Sequence, residues 1–324
     1  MTAGPQWRPT ASLAALRLRA GLLAAARTFF SERDVLEVDT PALVRHAVTD
    51  RYIHSARVEL PGHAAPLYLH TSPEYAMKRL LAAGSGDIYQ IAHVFRGHEQ
   101  GRWHNAEFML IEWYRCGFSM QQLMAEVAQL AGTLLALPAD APVEYVGYRE
   151  AVERELGVDP LCAAEDTLRS IAIAARLDAP LAERCDRDEL LDWLVGTVVG
   201  PRLGSSGLCF MHHYPASQAA LARLDAADPG VALRFELYCR GVELANGFEE
   251  LADARQQRAR FELERQRRLA ADLPAPAIDE ALLAALEAGL PPVSGVALGF
   301  DRLLMLRQGA SEIAEVLPFP LERA

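Results

Sequence analysis

The sequence is short of cysteine, of net positive charge and of long apolar runs. Its five cysteines, Cys116, Cys162, Cys185, Cys209 and Cys239, are an odd number without paired spacing. That excludes a disulfide framework or a thiolate zinc site and suits a reducing cytosol. His212 and His213 are adjacent, but neighbouring side chains on a strand or helix point apart, so the pair is read as structural or solvent-facing. No window approaches the ~18 uninterrupted apolar residues of a spanning helix. In the first thirty residues, Arg17, Arg19 and Arg27 interrupt Leu13, Leu16, Leu22 and Leu23, which is unlike a secretory leader. A net charge of −11 argues against a broad nucleic-acid surface, because phosphate binding draws on Lys and Arg; a local basic groove can still sit inside an acidic total. A soluble, cytoplasmic protein is expected.

With 324 residues, 51% hydrophobic and 23% charged, the chain can bury a large core. Apolar spacing predicts a helix over 11–33, then an extended run that Pro41 interrupts at a strand edge or bulge. A short strand at 68–71 leads to a helix through about Ala83, capped by Ser72 with Pro73 in its first turn. The β-rich runs DIYQIAHVFR and NAEFMLIEWYR, separated by the polar segment 97–104, predict an antiparallel hairpin. The Ala- and Leu-rich stretch of about 119–224 reads as inserted helices. Strand signals return at VALRFELYCRGVELANGF, followed by helices at 252–273 and 279–288 and a strand entering a helix in SGVALGFDRLLMLRQG. The fold class is α+β, a single domain over 1–324 with a helical insertion.

Several residue groups carry chemistry. Alternation on the second hairpin strand puts Phe108, Leu110, Glu112 and Tyr114 on one face and Met109, Ile111 and Trp113 on the other, so both faces are largely apolar. A buried Glu112 then needs a cation, either a protein Arg or Lys or the ammonium of a ligand. Arg96, Asn105 and Phe108 meet at one hairpin end, where guanidinium suits a phosphate and an aromatic ring suits a base, although ordinary hairpins also bring Arg and Phe together. Gly295, Gly299, Asp301 and Arg302 lie where a strand turns into a helix, either a packing turn or an anion site. Glu243 and Glu250 flank Asn246-Gly247, read as a turn: either a solvated acidic loop or oxygen ligands for a divalent cation.

Taken in order, these pieces resemble the three signature motifs of class II aminoacyl-tRNA synthetases, specifically the lysyl branch. Pro41 falls at the proline of the dimer-forming first motif, FRGHEQGRWHNAEFMLIEWYR is similar to the second, and SGVALGFDRLLML to the third. ELANGFEEL and ALEAGLPP extend the resemblance over nearly the whole chain. Within the branch, likeness is greatest to the paralogues that ligate (R)-β-lysine to elongation factor P. YPASQAAL looks like their sequence, the chain begins only about forty residues before the first motif, without room for an anticodon-binding barrel, and Ala297 stands where lysyl-tRNA synthetases carry glycine. One methyl beside the amino acid is worth about 1–3 kcal/mol of discrimination.

The resemblance implies a catalytic core without an anticodon-binding domain, ATP and Mg2+ as cofactors, and (R)-β-lysine or lysine as substrate. It also implies elongation factor P rather than tRNA as acceptor, and a homodimer. It places Arg96 on the α-phosphate and Arg302 on the γ-phosphate as the catalytic arginines, with Phe108 stacked on adenine. Gly97, His98, Asn105, Glu243, Leu244 and Gly299 complete the ATP site, and Glu243 and Glu250 hold magnesium. Ser72, Pro73, Glu74, Asn246, Glu250 and Ala297 surround the amino acid, while Glu112 and Tyr114 grip its distal ammonium. The chain departs from the family at Gly97-His98, where the pattern is Asn-Glu, and at Ala106, where it is proline. Either His98 substitutes for the lost glutamate, Glu99 slides into its role, or activity is reduced. Two rival readings remain, a truncated lysyl synthetase activating α-lysine for another acceptor and a non-catalytic regulatory paralogue.

Overall fold

The Ser12 hydroxyl accepts the Ala15 N–H and opens helix α1, Leu13–Ser31, which buries Leu22, Ala26, Phe29 and Phe30 along one side. The computed structural model describes residues 7–63 and 65–324; the first six residues of the stretch read as lacking a leader lie outside it. The chain divides into two compact units: one takes the chain up to Phe118 with Thr133–Ala136 and Ala252–Ala324, the other Ser119–Gly132 and Leu137–Leu251.

In the first unit α1 is followed by β1 (Leu36–Glu37), β2 (Leu43–Val44), β3 (Arg57–Val58), β4 (Leu67–Leu69), α2 (Glu74–Ala82), β5 (Ile88–Phe95) and β6 (Glu107–Cys116). The second holds most of α3 (Met120–Leu135), then β7 (Val143–Gly147), α4 (Tyr148–Leu156), α5 (Glu165–Ala174), α6 (Ala179–Ala182), α7 (Arg187–Leu194), β8 (Leu208–Pro215), β9 (Val231–Cys239) and β10 (Val242–Glu249). The chain returns to the first unit with α8 (Ala254–Ala270), α9 (Glu280–Gly289), β11 (Val293–Gly299) and α10 (Phe300–Gln308).

The expected hairpin is the centre of the first unit. Strands β5 and β6 pair antiparallel with Gln90 opposite Glu112, and β11 pairs antiparallel on the other side of β6, with Ala297 opposite Glu112. The short β1 runs parallel to β5, while β2, β4 and β3 form a small separate sheet. One face of β5 and β6 packs on α1, where Phe30 stacks on Tyr89 at 4.2 Å and meets Trp113 edge-on at 5.4 Å. The opposite face carries Phe108, Leu110, Glu112 and Tyr114. Asp301 clasps three elements: its carboxylate accepts the Met109 backbone N–H at 2.7 Å and pairs with Arg19 of α1 at 2.5 Å. It is therefore a buried structural ion pair of the α10 entry.

The second unit has the sheet order β10-β9-β8-β7, antiparallel except for the β7–β8 pair. Two expectations change here. The stretch read as helices contains strands β7 and β8 as well; β7 is mostly exposed and β8 buried on both faces, so neither shows clean alternation. Asn246-Gly247 is the interior of β10 rather than a turn. The hairpin turns at Arg240-Gly241, both with positive φ, 51° and 73°, as a two-residue loop requires. A Cβ on Gly241 would lie 2.5 Å from the Pro201 carbonyl oxygen, so glycine is needed there.

At Ser72, Pro73 takes the cap position of α2, and the Ser72 hydroxyl one residue earlier accepts the Glu74 N–H at 3.0 Å. His212 and His213 do converge, their Nδ1 atoms 2.5 Å apart, because the β8–β9 register shifts there and His213 has φ 59°. Among the described residues, no group of three or more His, Cys, Asp or Glu side chains is arranged to hold a metal, no helix is long and apolar enough to cross a membrane, and all five cysteines are free.

Candidate active site

Glu112 is 2% exposed, and the sheet register surrounds it with small or neutral groups. The Ser72 hydroxyl donates to its Oε2 at 2.7 Å and the Tyr114 hydroxyl to its Oε1 at 2.8 Å. Nearby, Lys78 is paired with Glu74 at 2.8 Å. Burial first, and the charge of Glu74 second, push the Glu112 carboxyl up to about 7, against the two hydroxyls and the weaker pull of Lys78. Of the two cations considered from sequence, the protein one that acts on this carboxyl is Lys78, more weakly than burial and Glu74. Across from it β11 presents Gly295, Ala297 and Gly299 opposite Tyr114, Glu112 and Leu110, so the facing strand contributes at most a methyl group. Ala297 packs with Ala92, Val94, Leu110 and Phe108.

Four residues along β6, roughly 13 Å at the rise of a strand, Phe108 lies under the guanidinium of Arg96, 5.1 Å from the ring centroid. The Arg96 N–H donates to the Ala106 carbonyl at 2.9 Å, its Nε to the Thr71 carbonyl at 3.4 Å, and its Nη1 faces Glu99 at 3.6 Å. Arg302, in the first turn of α10 after Gly299, reaches the same loop: its Nη2 lies 2.6 Å from His104 Nε2 and its Nε 3.4 Å from the Trp103 carbonyl. Burial, then the charge of Arg302 and more weakly that of Arg96, hold His104 below the usual imidazole range. Arg302 thus contacts the loop that Arg96 opens, through His104 and the Trp103 carbonyl.

The loop between β5 and β6 is tied down from the chain's end. Arg102 Nε donates to the Ser311 carbonyl at 2.7 Å and the Ile313 N–H to the Arg102 carbonyl at 2.9 Å. The Asn105 side chain donates to the Glu107 carbonyl at 2.7 Å and accepts the Leu321 N–H at 3.2 Å. Asn105 therefore shapes the loop, and Gly97-His98 rest against His54.

In the second unit, Glu243 and Glu250 are seven residues apart, which on a regular strand means opposite faces. A register shift between Glu243 and Ala245 makes Leu244 an extra residue: Glu243 stands opposite Tyr238, Asn246 opposite Glu236 and Phe248 opposite Arg234. Glu243 and Asn246 therefore share one face, and continued alternation brings the buried Glu250 to it. The same face holds a polar network that the sequence reading missed. Arg234 Nη2 pairs with Glu236 at 2.6 Å and its Nε donates to Asn246 Oδ1 at 3.3 Å, while the Tyr238 hydroxyl donates to Glu236 at 2.7 Å. Glu236 is invisible to single-strand reasoning, since only the β9–β10 register puts it beside Asn246. Lys78 was findable, because Glu74 and Lys78 have the (i, i+4) spacing of a helical ion pair.

The family profile described as tRNA synthetases class II (D, K and N) matches residues 6–323. Among curated relatives, the chain is 48% identical over 322 residues to the elongation factor P–(R)-β-lysine ligase of Edwardsiella ictaluri (strain 93-146), covering 98% of each chain. It is 47% identical over 322 residues to the protein of that name from Proteus mirabilis (strain HI4320), again covering 98% of each. The one from Erwinia tasmaniensis is 48% identical over 323 residues, with the same coverage.

Proposed function

The chain belongs to the class II tRNA synthetase family (D, K and N), and from that premise we propose that it is a ligase that activates (R)-β-lysine with ATP and attaches it to a lysine of elongation factor P. Relatives bearing that function in their names match end to end at 47–48% identity. The observation that carries the reading is Glu112, a buried carboxylate that accepts the Ser72 and Tyr114 hydroxyls and stands opposite Ala297 of β11. Such a group is costly unless an ammonium arrives to pair with it, and the distal amine of a lysine isomer is that ammonium.

The chemistry follows from positioning and charge neutralisation, without a protein nucleophile. The substrate carboxylate attacks the α-phosphorus of ATP in line and pyrophosphate leaves, giving the aminoacyl adenylate. The ε-amino group of the acceptor lysine then attacks the acyl carbon; AMP leaves, the amine loses a proton and an amide forms. Arg96 holds the α-phosphate, Arg302 the γ-phosphate, and Phe108 the adenine face. Gly299 opens the α10 N-terminus, and Leu244 supplies backbone at the bulge. Ser72, Pro73 and Glu74 frame the amino acid from the start of α2, Tyr114 and Glu112 take its distal ammonium, and Asn246 its polar end. Glu243 and Glu250 are hard oxygen donors of the kind Mg2+ takes, and an ion held by them would neutralise phosphate charge. The protein acts in the cytoplasm on a protein amine rather than on tRNA, as a homodimer associated around Pro41.

Two measurements test this. Elongation factor P incubated with the protein, ATP and (R)-β-lysine gains the mass of one lysyl residue, and loses the gain when ATP is omitted. ATP–pyrophosphate exchange is faster with (R)-β-lysine than with L-α-lysine by about 10–200-fold, the range that one carbon in a pocket supports. Equal or better exchange with L-α-lysine would reject the specificity.

A further inference from the structure

Gly97-His98, the segment that follows β5 and Arg96, is braced against His54. The Gly97 N–H donates to the His54 carbonyl at 2.7 Å, within an isolated antiparallel bridge between the two residues. The His98 ring meets the His54 ring edge to face, centroids 4.8 Å apart and planes at 87°. The approach is close: a Cβ on Gly97 would lie 3.3 Å from the His54 Cβ. His98 itself has a left-handed φ of 63°, so a conformation uncommon for a side-chain-bearing residue is held in place by its neighbour.

His54 is in turn fixed from below. The guanidinium of Arg268 in α8, 6% exposed, donates to the carbonyls of Asp50 at 2.6 Å and Ile53 at 3.4 Å, while its Nε donates to the Pro274 carbonyl at 2.7 Å. The supports therefore run from Arg268 to the 50–54 segment, to Gly97-His98, and on to Arg96 over Phe108. A glutamate in place of His98 could only accept hydrogen bonds when ionised, whereas an imidazole N–H donates. Toward the anionic oxygens of a triphosphate, a donor is the group of the right sign.

We propose that His54 is a positioning residue for ATP, acting through the edge-to-face ring contact and backbone bridge that hold Gly97-His98 beside Arg96. The proposal deepens the assignment of this site to ATP and rests on it.

The test compares His54→Ala, His54→Phe, His98→Ala and the double variant His54→Ala/His98→Ala in the full chain. ATP affinity is read by calorimetry, and KM and kcat by pyrophosphate exchange. His54→Ala is expected to raise the KM for ATP about three- to tenfold, the range an aromatic pair supports, with kcat and the amino-acid KM little changed. His54→Phe, which keeps the ring edge and the backbone bridge, restores ATP binding, and His54→Ala adds nothing once His98 is alanine. Three results would overturn the proposal: an unchanged ATP KM in His54→Ala, the same loss with and without His98, or a His54→Phe that melts like the parent yet fails to restore affinity. If the parent binds ATP but exchanges pyrophosphate with no lysine isomer, the functional assignment fails, while calorimetry on the variants still decides this inference.

Discussion

At the scale of one residue, the acid–base state of Glu112 controls both stability and substrate use. Its carboxyl is pushed from 4.5 to about 7 by burial and Glu74, so between those values the folded protein holds a proton that the unfolded chain has released. Folding stability attributable to this group therefore falls as pH rises from about 4.5 to about 7 and stays low above it. Glu112→Gln, which cannot ionise, is expected to melt higher than the parent at about pH 8 and alike at about pH 4. Activity moves the other way. A proton competes with the substrate ammonium, so the amino-acid KM in pyrophosphate exchange rises toward tenfold per unit as pH drops below about 7, while the ATP KM does not follow. Glu112→Gln loses at least about 30-fold in amino-acid affinity, the low end for breaking a buried charge pair. An amino-acid KM that is flat with pH would sink this account.

Among elements, the entry of α10 shows how strand, helix and site are coupled. Asp301 joins α10 to the Met109 backbone of β6 and to Arg19 of α1, close to Phe108 and Arg302. Asp301→Ala strands a partly buried arginine and a buried backbone N–H, and should lower stability by about 2–3 kcal/mol; urea unfolding reads it, and a loss below about 1 kcal/mol would contradict the clasp. The hairpin β5–β6 and the β11–α10 turn could be read from sequence because their apolar runs are bounded by turn residues and cover both faces. Glu112 was singled out for the same reason, a lone acid in an apolar run. Strand β7 was not legible because it is an exposed edge, and β8 because it lies within the Ala- and Leu-rich stretch whose composition reads as helix. Asn246-Gly247 gave the strongest local turn signal in its segment, yet the chain turns at Arg240-Gly241, where the close approach of Pro201 decides. The bulge at Leu244 cannot be read from β10 alone, since a register belongs to two strands, and so the common face of Glu243 and Glu250 emerged only with β9 in place.

For the whole molecule, association is the open dimension of function. Leu36 and Leu43, which flank Pro41, are exposed apolar side chains, placed where the proposed homodimer would associate. Light scattering is expected to give twice the chain mass of 35.5 kDa, and Leu36→Asp with Leu43→Asp to return a single-chain mass; a single-chain mass for the parent would refute the dimer. The far end of the chain has a different part. Residues 311–321 bond to the side chain and backbone of Arg102 and to the Asn105 side chain, and Thr10 and Ala11 donate to the carbonyls of Pro318 and Leu317. A reporter or affinity handle fused behind Ala324 would hang from the cord that tethers the loop between β5 and β6, the loop proposed to hold the nucleotide. Trimming from that end would slacken the grip on ATP before it loosened the central sheet.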